Sequence, residues 1–262
     1  MKQDSKNNII DRLMTIVSHL ARSSTPERMT EIARELKLSK TTTFRILHRL
    51  EKGQWVTCDP DTGMYKIGTK MMEIGLSIRS NTPIVAIVMP FLTELRDTTN
   101  ETVGLSIRVD NERIFIEEMQ SNRELRFISP LGRRLPLWAG AVGKAILANL
   151  KETEKTEFFN QLEQQGLPAF SSGKTLDINE LLTELVQIQK DGCAVSIGER
   201  EKGTSAVASP IFDIHNEVIG AVNIAGPTDR FRKEVLSRYS SLIKRTADFI
   251  NQKTGSEIRY SG

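Results

Sequence analysis

Residues 36–50 have the sequence "LKLSKTTTFRILHRL", in which a helical pattern contains residues that do not favour helices. Apolar side chains recur at helix-like intervals, at Leu36, Leu38, Phe44, Leu47 and Leu50. Three consecutive threonines, at positions 41–43, lie among them and lose side-chain freedom in a helix because they are β-branched. A helix that only filled a core would carry Ala or Leu there, so the hydroxyl groups need another explanation.

Two shorter patterns precede this stretch. A first amphipathic helix is predicted from apolar residues three and four positions apart, at Ile9, Ile10, Leu13, Val17 and Leu20. A second, short helix is predicted from Met29, Ile32, Ala33 and Leu36. Only Lys37, Leu38 and Ser39 separate it from the third helix, whose expected N-cap is Ser39. Two helices joined by a three-residue turn predict a helix-turn-helix.

The third helix has an apolar and a polar face. We expect Phe44, Leu47 and Leu50 on the buried face. Short hydroxyl side chains let a helix approach DNA closely and bond phosphates or base edges, while arginine reaches further, to guanine or phosphate. The candidate DNA contacts are therefore Ser39, Thr41, Thr42, Arg45 and Arg49. The alternative is that the threonines form only a solvated helix face.

A hairpin is predicted after the third helix. Gly53 is expected to end that helix, and "WVTCD" and "MYKIG" read as two strands around the turn "PDTG". Three helices followed by such a hairpin make a winged helix. Lys66 is then a candidate phosphate contact that would add salt-dependent affinity, although an ordinary exposed wing explains it as well.

The charge distribution agrees with a polyanion partner for this part of the chain. Residues 1–68 contain 12 of the 36 Lys and Arg residues but only 8 of the 33 Asp and Glu residues, a net charge of +4. The remainder contains 24 basic and 25 acidic residues, a net charge of −1. The length of 262 residues suits two domains. We expect no membrane partner and a cytoplasmic protein, because no apolar stretch approaches about 20 residues and the N-terminus lacks a signal-peptide pattern. The two cysteines, Cys58 and Cys193, are expected to be buried free thiols.

The remainder of the sequence predicts a connecting helix at residues 69–80 and then an α+β domain built on one sheet. The predicted helices are 84–95, 142–150, 152–165, 178–191 and 231–251. The predicted strands are "ETVGLSIRV", "RIFIEEMQ", "LRFIS", "CAVSIG", "TSAVASPIF" and "EVIGAVNIA".

Motifs that would indicate catalysis do not stand out. The histidines His19, His48 and His215 have no metal-ligand spacing, and no Gly-rich phosphate loop occurs. Ser205 follows Gly203 without the flanking pattern of a nucleophile elbow. We therefore expect no catalytic residues, no metal and no cofactor, and a protein that is not an enzyme.

Three stretches resemble the IclR-type bacterial transcriptional regulators, nearly over the whole chain and in the same order. They are "LKLSKTTTFRILHRLEKGQWV", "SPLGRRLPLWAGAVGKAILANL" and "DGCAVSIGEREKGTSAVASPIFDIHNEVIGAVNIAGPTDRF". The resemblance implies an N-terminal winged helix-turn-helix domain at 1–68, a linker helix at 69–80 and a C-terminal GAF-like effector-binding domain at 81–262. It also implies a homodimer or homotetramer, palindromic double-stranded operator DNA, and a small organic-acid effector. Lys40 is a further DNA contact by this resemblance, because Lys40, Thr41, Thr42 and Arg45 match the start of the family's recognition helix.

The resemblance further implies which residues line the effector pocket. These are the loop residues Ala139, Gly140, Ala141 and Val142 and the strand residues Ser196, Ala206, Asn223 and Ala225. Phe127 and Trp138 are an apolar wall of this pocket or part of the core. The amides of this loop lie just before the helix predicted at Val142, and we expect them to bind the carboxylate of the effector as helix N-termini bind anions. The alternative is that the loop residues are small only so that the helix can pack on the sheet.

This sequence departs from the members that bind short keto acids. Those members tend to carry an acidic residue at the position of Ser196 and hydroxyl residues at the positions of Asn223 and Ala225. The stretch "SIGERE" also replaces much of an acidic run and keeps only Glu199 as a matching carboxylate. The general pocket therefore carries over, whereas the best-known ligand does not.

Two hypotheses about function follow. The first is a transcriptional regulator, a repressor more readily than an activator, that is controlled by a small organic or sugar acid. The second is a constitutive DNA-binding architectural protein whose C-terminal domain only oligomerises.

Overall fold

The computed structural model describes residues 8–23, 25–80, 82–129, 131–173 and 175–257. The chain separates into two units, Met1–Thr82 and Pro83–Gly262. The predicted domain ends at residues 1, 81 and 262 lie outside the described residues. No single helix among the described residues is long and apolar enough to cross a membrane.

The first unit contains the predicted helix-turn-helix and hairpin. Its elements are α1 (Ile9–Arg22), β1 (Glu27–Arg28), α2 (Met29–Glu35), α3 (Lys40–Lys52), β2 (Val56–Cys58), β3 (Met64–Ile67) and α4 (Thr69–Ser80). The hairpin strands pair antiparallel, and the short strand β1, which was not predicted, pairs with β3 on its other side. The sheet is therefore three-stranded, with the order β1-β3-β2.

The core of the first unit differs from the predicted one at four positions, one of which is Cys58, expected to be buried but only partly buried in the structure. Its buried residues are Ile16, Leu20, Ile32, Ile46, Leu47, Leu50, Val56 and Tyr65. Phe44 was expected on the buried face of α3, but its side chain is 52% exposed. Ile9 and Ile10, expected on the apolar face of α1, are exposed as well. The buried face of α3 includes Ile46 in place of Phe44, and the buried face of α1 includes Ile16 in place of Ile9 and Ile10.

The second unit is the predicted α+β domain. Its helices are α5 (Pro83–Thr99), α6 (Gly140–Ala148), α7 (Glu152–Gln165), α8 (Ile178–Asp191) and α9 (Lys233–Glu257). Its strands are β4 (Thr102–Val109), β5 (Glu112–Met119), β6 (Arg134–Pro136), β7 (Ala194–Ile197), β8 (Thr204–Phe212) and β9 (Val218–Pro227). All neighbouring strands are antiparallel, and their order is β6-β5-β4-β9-β8-β7.

The two faces of this sheet carry side chains of different size. One face packs against α5 and α9 through large apolar residues such as Leu105, Val207 and Ile224. The other face packs against α6, α7 and α8 and carries many alanines, among them Ala194, Ala208 and Ala221. The small side chains leave room for α6 to lie close to the sheet and for a cavity beside it.

One predicted strand is wrong. The stretch "LRFIS" at 125–129 has strand-like composition but forms a loop, and the third strand on this side is β6 instead. The loop is held by side chains, because Thr102 Oγ1 donates to the carbonyl of Phe127 at 2.7 Å and the amide of Ser129 donates to the Glu118 carboxylate. These bonds satisfy backbone groups that a strand would have paired with a neighbour.

Candidate DNA interface and ligand pocket

The start of α3 is organised by the predicted N-cap. Ser39 Oγ accepts the amide of Thr42 at 3.2 Å and donates to Thr42 Oγ1 at 2.8 Å, so both hydroxyl groups help to cap the helix. Thr43 is fully buried, and its Oγ1 donates to the carbonyl of Ser39 at 3.1 Å. Thr41 is exposed. The threonine run therefore has two roles, since two of its members stabilise the helix start and one is presented to the surroundings.

The exposed side of α3 is basic and polar, with one aromatic pair. Lys40, Arg45 and Arg49 are exposed there, and Lys66 is exposed on β3. The ring of Phe44 stacks on that of His48 with centroids 5.8 Å apart and planes 3° from parallel. An apolar ring on a helix surface of this kind can contact a thymine methyl group, which makes Phe44 a candidate contact that sequence periodicity assigned to the core.

A cavity lies in the second unit between the alanine-rich face of the sheet and the start of α6. Its volume is about 40 Å³. The lining residues are Arg113, Phe115, Phe127, Gly140, Ala141, Val142, Ser196, Arg200, Thr204, Ser205, Ala206, Asn223 and Ala225.

Eight of the ten residues predicted for the pocket line this cavity, and two do not. Ala139 is buried as the residue before α6. Trp138 packs on the core, with its ring 5.4 Å from that of Phe170 in an edge-on arrangement. Of the two readings left open for Trp138, the structure therefore favours core. At Gly140 the backbone has φ +78°, a conformation that residues with a Cβ rarely adopt.

Arg113 is the most unusual side chain of the cavity. It is 2% exposed, and its Nε and Nη1 have no hydrogen-bond partner among the described residues. Its guanidinium lies 5.2 Å from the centre of the Phe115 ring. Burial, and secondarily the neighbouring Arg200, lower the pKa of Arg113 to about 9, so the group stays charged at neutral pH. A buried cation without a counter-ion is unfavourable unless something else pairs with it.

The predicted anion-binding loop already holds a carboxylate of the protein. Glu199 accepts the amide of Gly140 at 3.0 Å, and its other oxygen contacts Lys144 Nζ at 2.5 Å. Lys144 also contacts Glu184 at 2.5 Å and is itself buried. The amide of Gly140, which was expected to bind an effector carboxylate, is therefore occupied by Glu199.

Five lining residues were not predicted from the sequence: Arg113, Phe115, Arg200, Thr204 and Ser205. A signal for Arg113 was present, because strand alternation in "ERIFIEEM" places it on the same face as Phe115. Asn223, which was expected in the effector pocket, lines the cavity, and its Oδ1 has no hydrogen-bond partner among the described residues.

One other cluster has ligand-type atoms close together. His19, Glu27 and Glu35 present a nitrogen and two carboxylate oxygens within 4.8 Å of one another. His19 Nε2 already lies 2.7 Å from Glu27 Oε2, and Glu35 is exposed. The arrangement is that of a surface ion pair, which needs no metal ion.

Comparison with known proteins gives a consistent result for both units. The family model of the IclR helix-turn-helix domain matches residues 9–60, and that of the bacterial transcriptional regulator IclR C-terminal domain matches residues 77–252. The HTH-type transcriptional repressor AllR of Escherichia coli K12 is 30% identical over 246 residues, which cover 94% of this chain and 90% of AllR.

Solved structures show the same architecture. The IclR protein of Thermotoga maritima has a TM-score of 0.70 and 28% identity, over 94% of this chain and 98% of that one. The IclR regulator of Alicyclobacillus acidocaldarius has a TM-score of 0.78 and 26% identity, over 96% and 99%. An IclR homologue of Microbacterium hydrocarbonoxydans, solved with 4-hydroxybenzoate, has a TM-score of 0.78 at 18% identity, over 95% and 100%.

Proposed function

Since this chain belongs to the IclR family of bacterial transcriptional regulators, we propose that it is a repressor whose binding to operator DNA is controlled by a small organic or sugar acid. In this proposal α3 reads double-stranded operator DNA, and the acid binds in the cavity beside α6. The protein acts in the cytoplasm as a homodimer or homotetramer.

The observation that carries the DNA-binding part is the exposed side of α3. Thr41, Arg45 and Arg49 are exposed on the second helix of a helix-turn-helix, where base and phosphate contacts are made. Ser39 and Thr42 contribute by capping the helix and offering hydroxyl groups near its start. Lys66 on the hairpin is placed to add a phosphate contact.

The cavity supports the effector part of the proposal. It combines an apolar lining with two guanidinium groups and several hydroxyl and amide groups, as small-molecule sites do. The sign of regulation is taken from the relative AllR, which is a repressor. The Microbacterium homologue, solved with 4-hydroxybenzoate, gives one example of an acid in a protein of this fold.

An effector can change DNA binding only if it prefers one form of the protein over another. We therefore expect the acid to favour the form of the oligomer in which two α3 helices do not fit two half-sites. A constitutive architectural protein would lack this difference, and the similarity to repressors argues against it.

The test is a titration of fluorescently labelled DNA from the region upstream of the gene with purified protein. A panel of carboxylic and sugar acids is then added at millimolar concentration. Release of the specific DNA by one acid, with little effect on binding to random DNA, is the expected result. Specific binding that none of the acids changes would favour the architectural alternative.

A further inference from the structure

The polar groups of the cavity point to the class of acid that it takes. We propose that the effector is a small hydroxy acid whose carboxylate pairs with Arg113 and whose hydroxyl donates a hydrogen bond to Asn223. This inference rests on the proposed function. It adds that Arg113 holds the carboxylate of the acid and that the acid also carries a hydroxyl group.

Arg113 is built to receive an anion. Its Nε and Nη1 are buried and lack partners among the described residues, although a guanidinium has five N–H donors. Its Nη2 would lie 3.4 Å from a Cβ placed at Gly140, so the group borders the glycine at the start of α6. A carboxylate matches the guanidinium geometry with two parallel hydrogen bonds.

The charge of the cavity excludes a cationic ligand. Its lining contains Arg113 and Arg200, and no carboxylate side chain is among the lining residues that the structure describes. The carboxylate of Glu199, at the start of α6, is engaged by Gly140 and Lys144. Arg200 has a carboxylate of its own, with its Nη2 3.4 Å from Glu201 Oε1, so Arg113 is the cation that remains to be paired.

Asn223 supplies the second half of the argument. Its side chain is 1% exposed, and Oδ1 is an acceptor without a donor in the described part of the chain. Arg113 has only hydrogen-bond donors, whereas Asn223 Oδ1 only accepts hydrogen bonds. A ligand that pairs with both residues therefore presents an acceptor to Arg113 and a donor to Asn223. A hydroxy acid has both groups, while a keto acid has no donor.

The cavity is small, with a volume of about 40 Å³. Lactate and glycerate, which are hydroxy acids of only three carbon atoms, are therefore suitable probes.

The experiment measures binding of lactate, glycerate, pyruvate, propionate and lactamide to the full chain by isothermal titration. Pyruvate and propionate keep the carboxylate but lack the hydroxyl, whereas lactamide keeps the hydroxyl but lacks the charge. We expect a hydroxy acid to bind at least about tenfold tighter than pyruvate or propionate, because each lost hydrogen bond leaves a buried group unpaired. Lactamide should not bind.

Two variants and a control separate the roles of the residues. Arg113→Met should weaken binding of all the acids by about ten- to hundredfold, as expected for the loss of charge-assisted bonds. The same variant should raise the Tm of the ligand-free protein, because it removes an unpaired buried charge.

Asn223→Leu should keep the affinity for propionate and lose the preference for hydroxy acids. Arg134→Gln, at an arginine on β6 that pairs with Glu112 at 3.0 Å and does not line the cavity, is the control.

Several results would overturn the inference. One is that the Arg113→Met variant binds lactate and glycerate as tightly as the wild type does. Others are that the wild type binds lactamide or pyruvate as tightly as lactate, or that it binds none of the probes. If acids release operator DNA equally from the wild type and from Arg113→Met, this inference fails while the proposed function stands. If no acid releases DNA from the wild type, the proposed function itself fails.

Discussion

Lys144 Nζ lies 2.5 Å from Glu199 Oε1, and this ion pair joins the first turns of α6 to the loop after β7. The lysine is buried, and the second oxygen of Glu199 accepts the amide of Gly140. One carboxylate therefore neutralises a buried cation and caps a helix that has no capping side chain of its own. The pair fixes the wall of the cavity that α6 forms.

Replacing Glu199 should destabilise the protein. We expect Glu199→Ala to lower the free energy of unfolding by about 3 kcal/mol, the lower end for breaking a buried pair, because Lys144 keeps its contact with Glu184. Urea unfolding measures the change. Lys202→Ala, at an exposed residue of the same loop, is the control and should change it by less than about 0.5 kcal/mol. Equal effects of both variants would show that the pair does not stabilise the fold.

The threonines of α3 should respond differently to the same substitution. Thr43→Ala should lower the free energy of unfolding by about 1–2 kcal/mol, since it removes a buried hydroxyl and its hydrogen bond. Thr41→Ala should leave the stability unchanged and weaken operator binding. Unfolding curves and DNA titrations on the two variants check this, and the reverse assignment would contradict the capping geometry.

Arg45 is expected to read a base. Arg45→Ala should then weaken the free energy of binding to the operator by about 1–3 kcal/mol and that of binding to random DNA by much less. Lys52→Ala, in the last turn of the same helix, is the matched control and should have a smaller effect that does not depend on sequence. If Arg45→Ala weakens both DNAs equally, Arg45 contacts phosphate.

The operator should have two half-sites. A dimer that places two α3 helices in successive major grooves needs half-sites about 34–36 Å apart, one helical turn of DNA, or a multiple of it. Footprinting should reveal a pseudo-palindrome with this spacing. Stoichiometric binding of one monomer to an asymmetric site would contradict it.

The first unit should lose stability in acid through Glu27. Burial raises the pKa of this carboxyl, but hydrogen bonds from His19 and Ser23 outweigh burial and lower it below 4.5. The stabilisation is therefore present above pH 4.5 and is lost as the pH falls through the lower folded pKa. Glu27→Gln should remove this part of the pH dependence. Unfolding followed by Trp55 fluorescence in a Trp138→Phe background measures it; identical pH profiles would contradict the role of Glu27.

Much of the fold could be predicted from the sequence where one physical pattern acts alone. The bounds of α7 and α8 agree with the prediction, because cap residues mark their ends: Gly166 follows α7, Gly192 follows α8, and Asp177 caps the start of α8. The assignment of Phe44 to the core was wrong, because neighbouring apolar residues compete for one buried phase. The assignment of 125–129 as a strand was wrong because hydrogen bonds to side chains, which composition does not reveal, hold that backbone.

The candidate pocket was predictable only in part, for a related reason. Small residues such as Gly140 and Ala206 are recognisable because close packing requires them. Arg113 was not predicted, since a charged residue in a strand is ordinarily expected at the surface. Its burial depends on the pairing of β5 with both β4 and β6, which is a property of the whole sheet.

The alanines on one face of the sheet have a consequence for how ligand preference can diverge among related proteins. Ala206 and Ala225 lie directly opposite each other on β8 and β9, and both border the cavity. Adding a methyl or hydroxyl group at either position would reshape the cavity without touching the Val, Leu and Ile residues that pack against α5 and α9. Single substitutions can therefore change which metabolite binds during evolution, while the apolar core between the sheet and helices α5 and α9 keeps the fold stable.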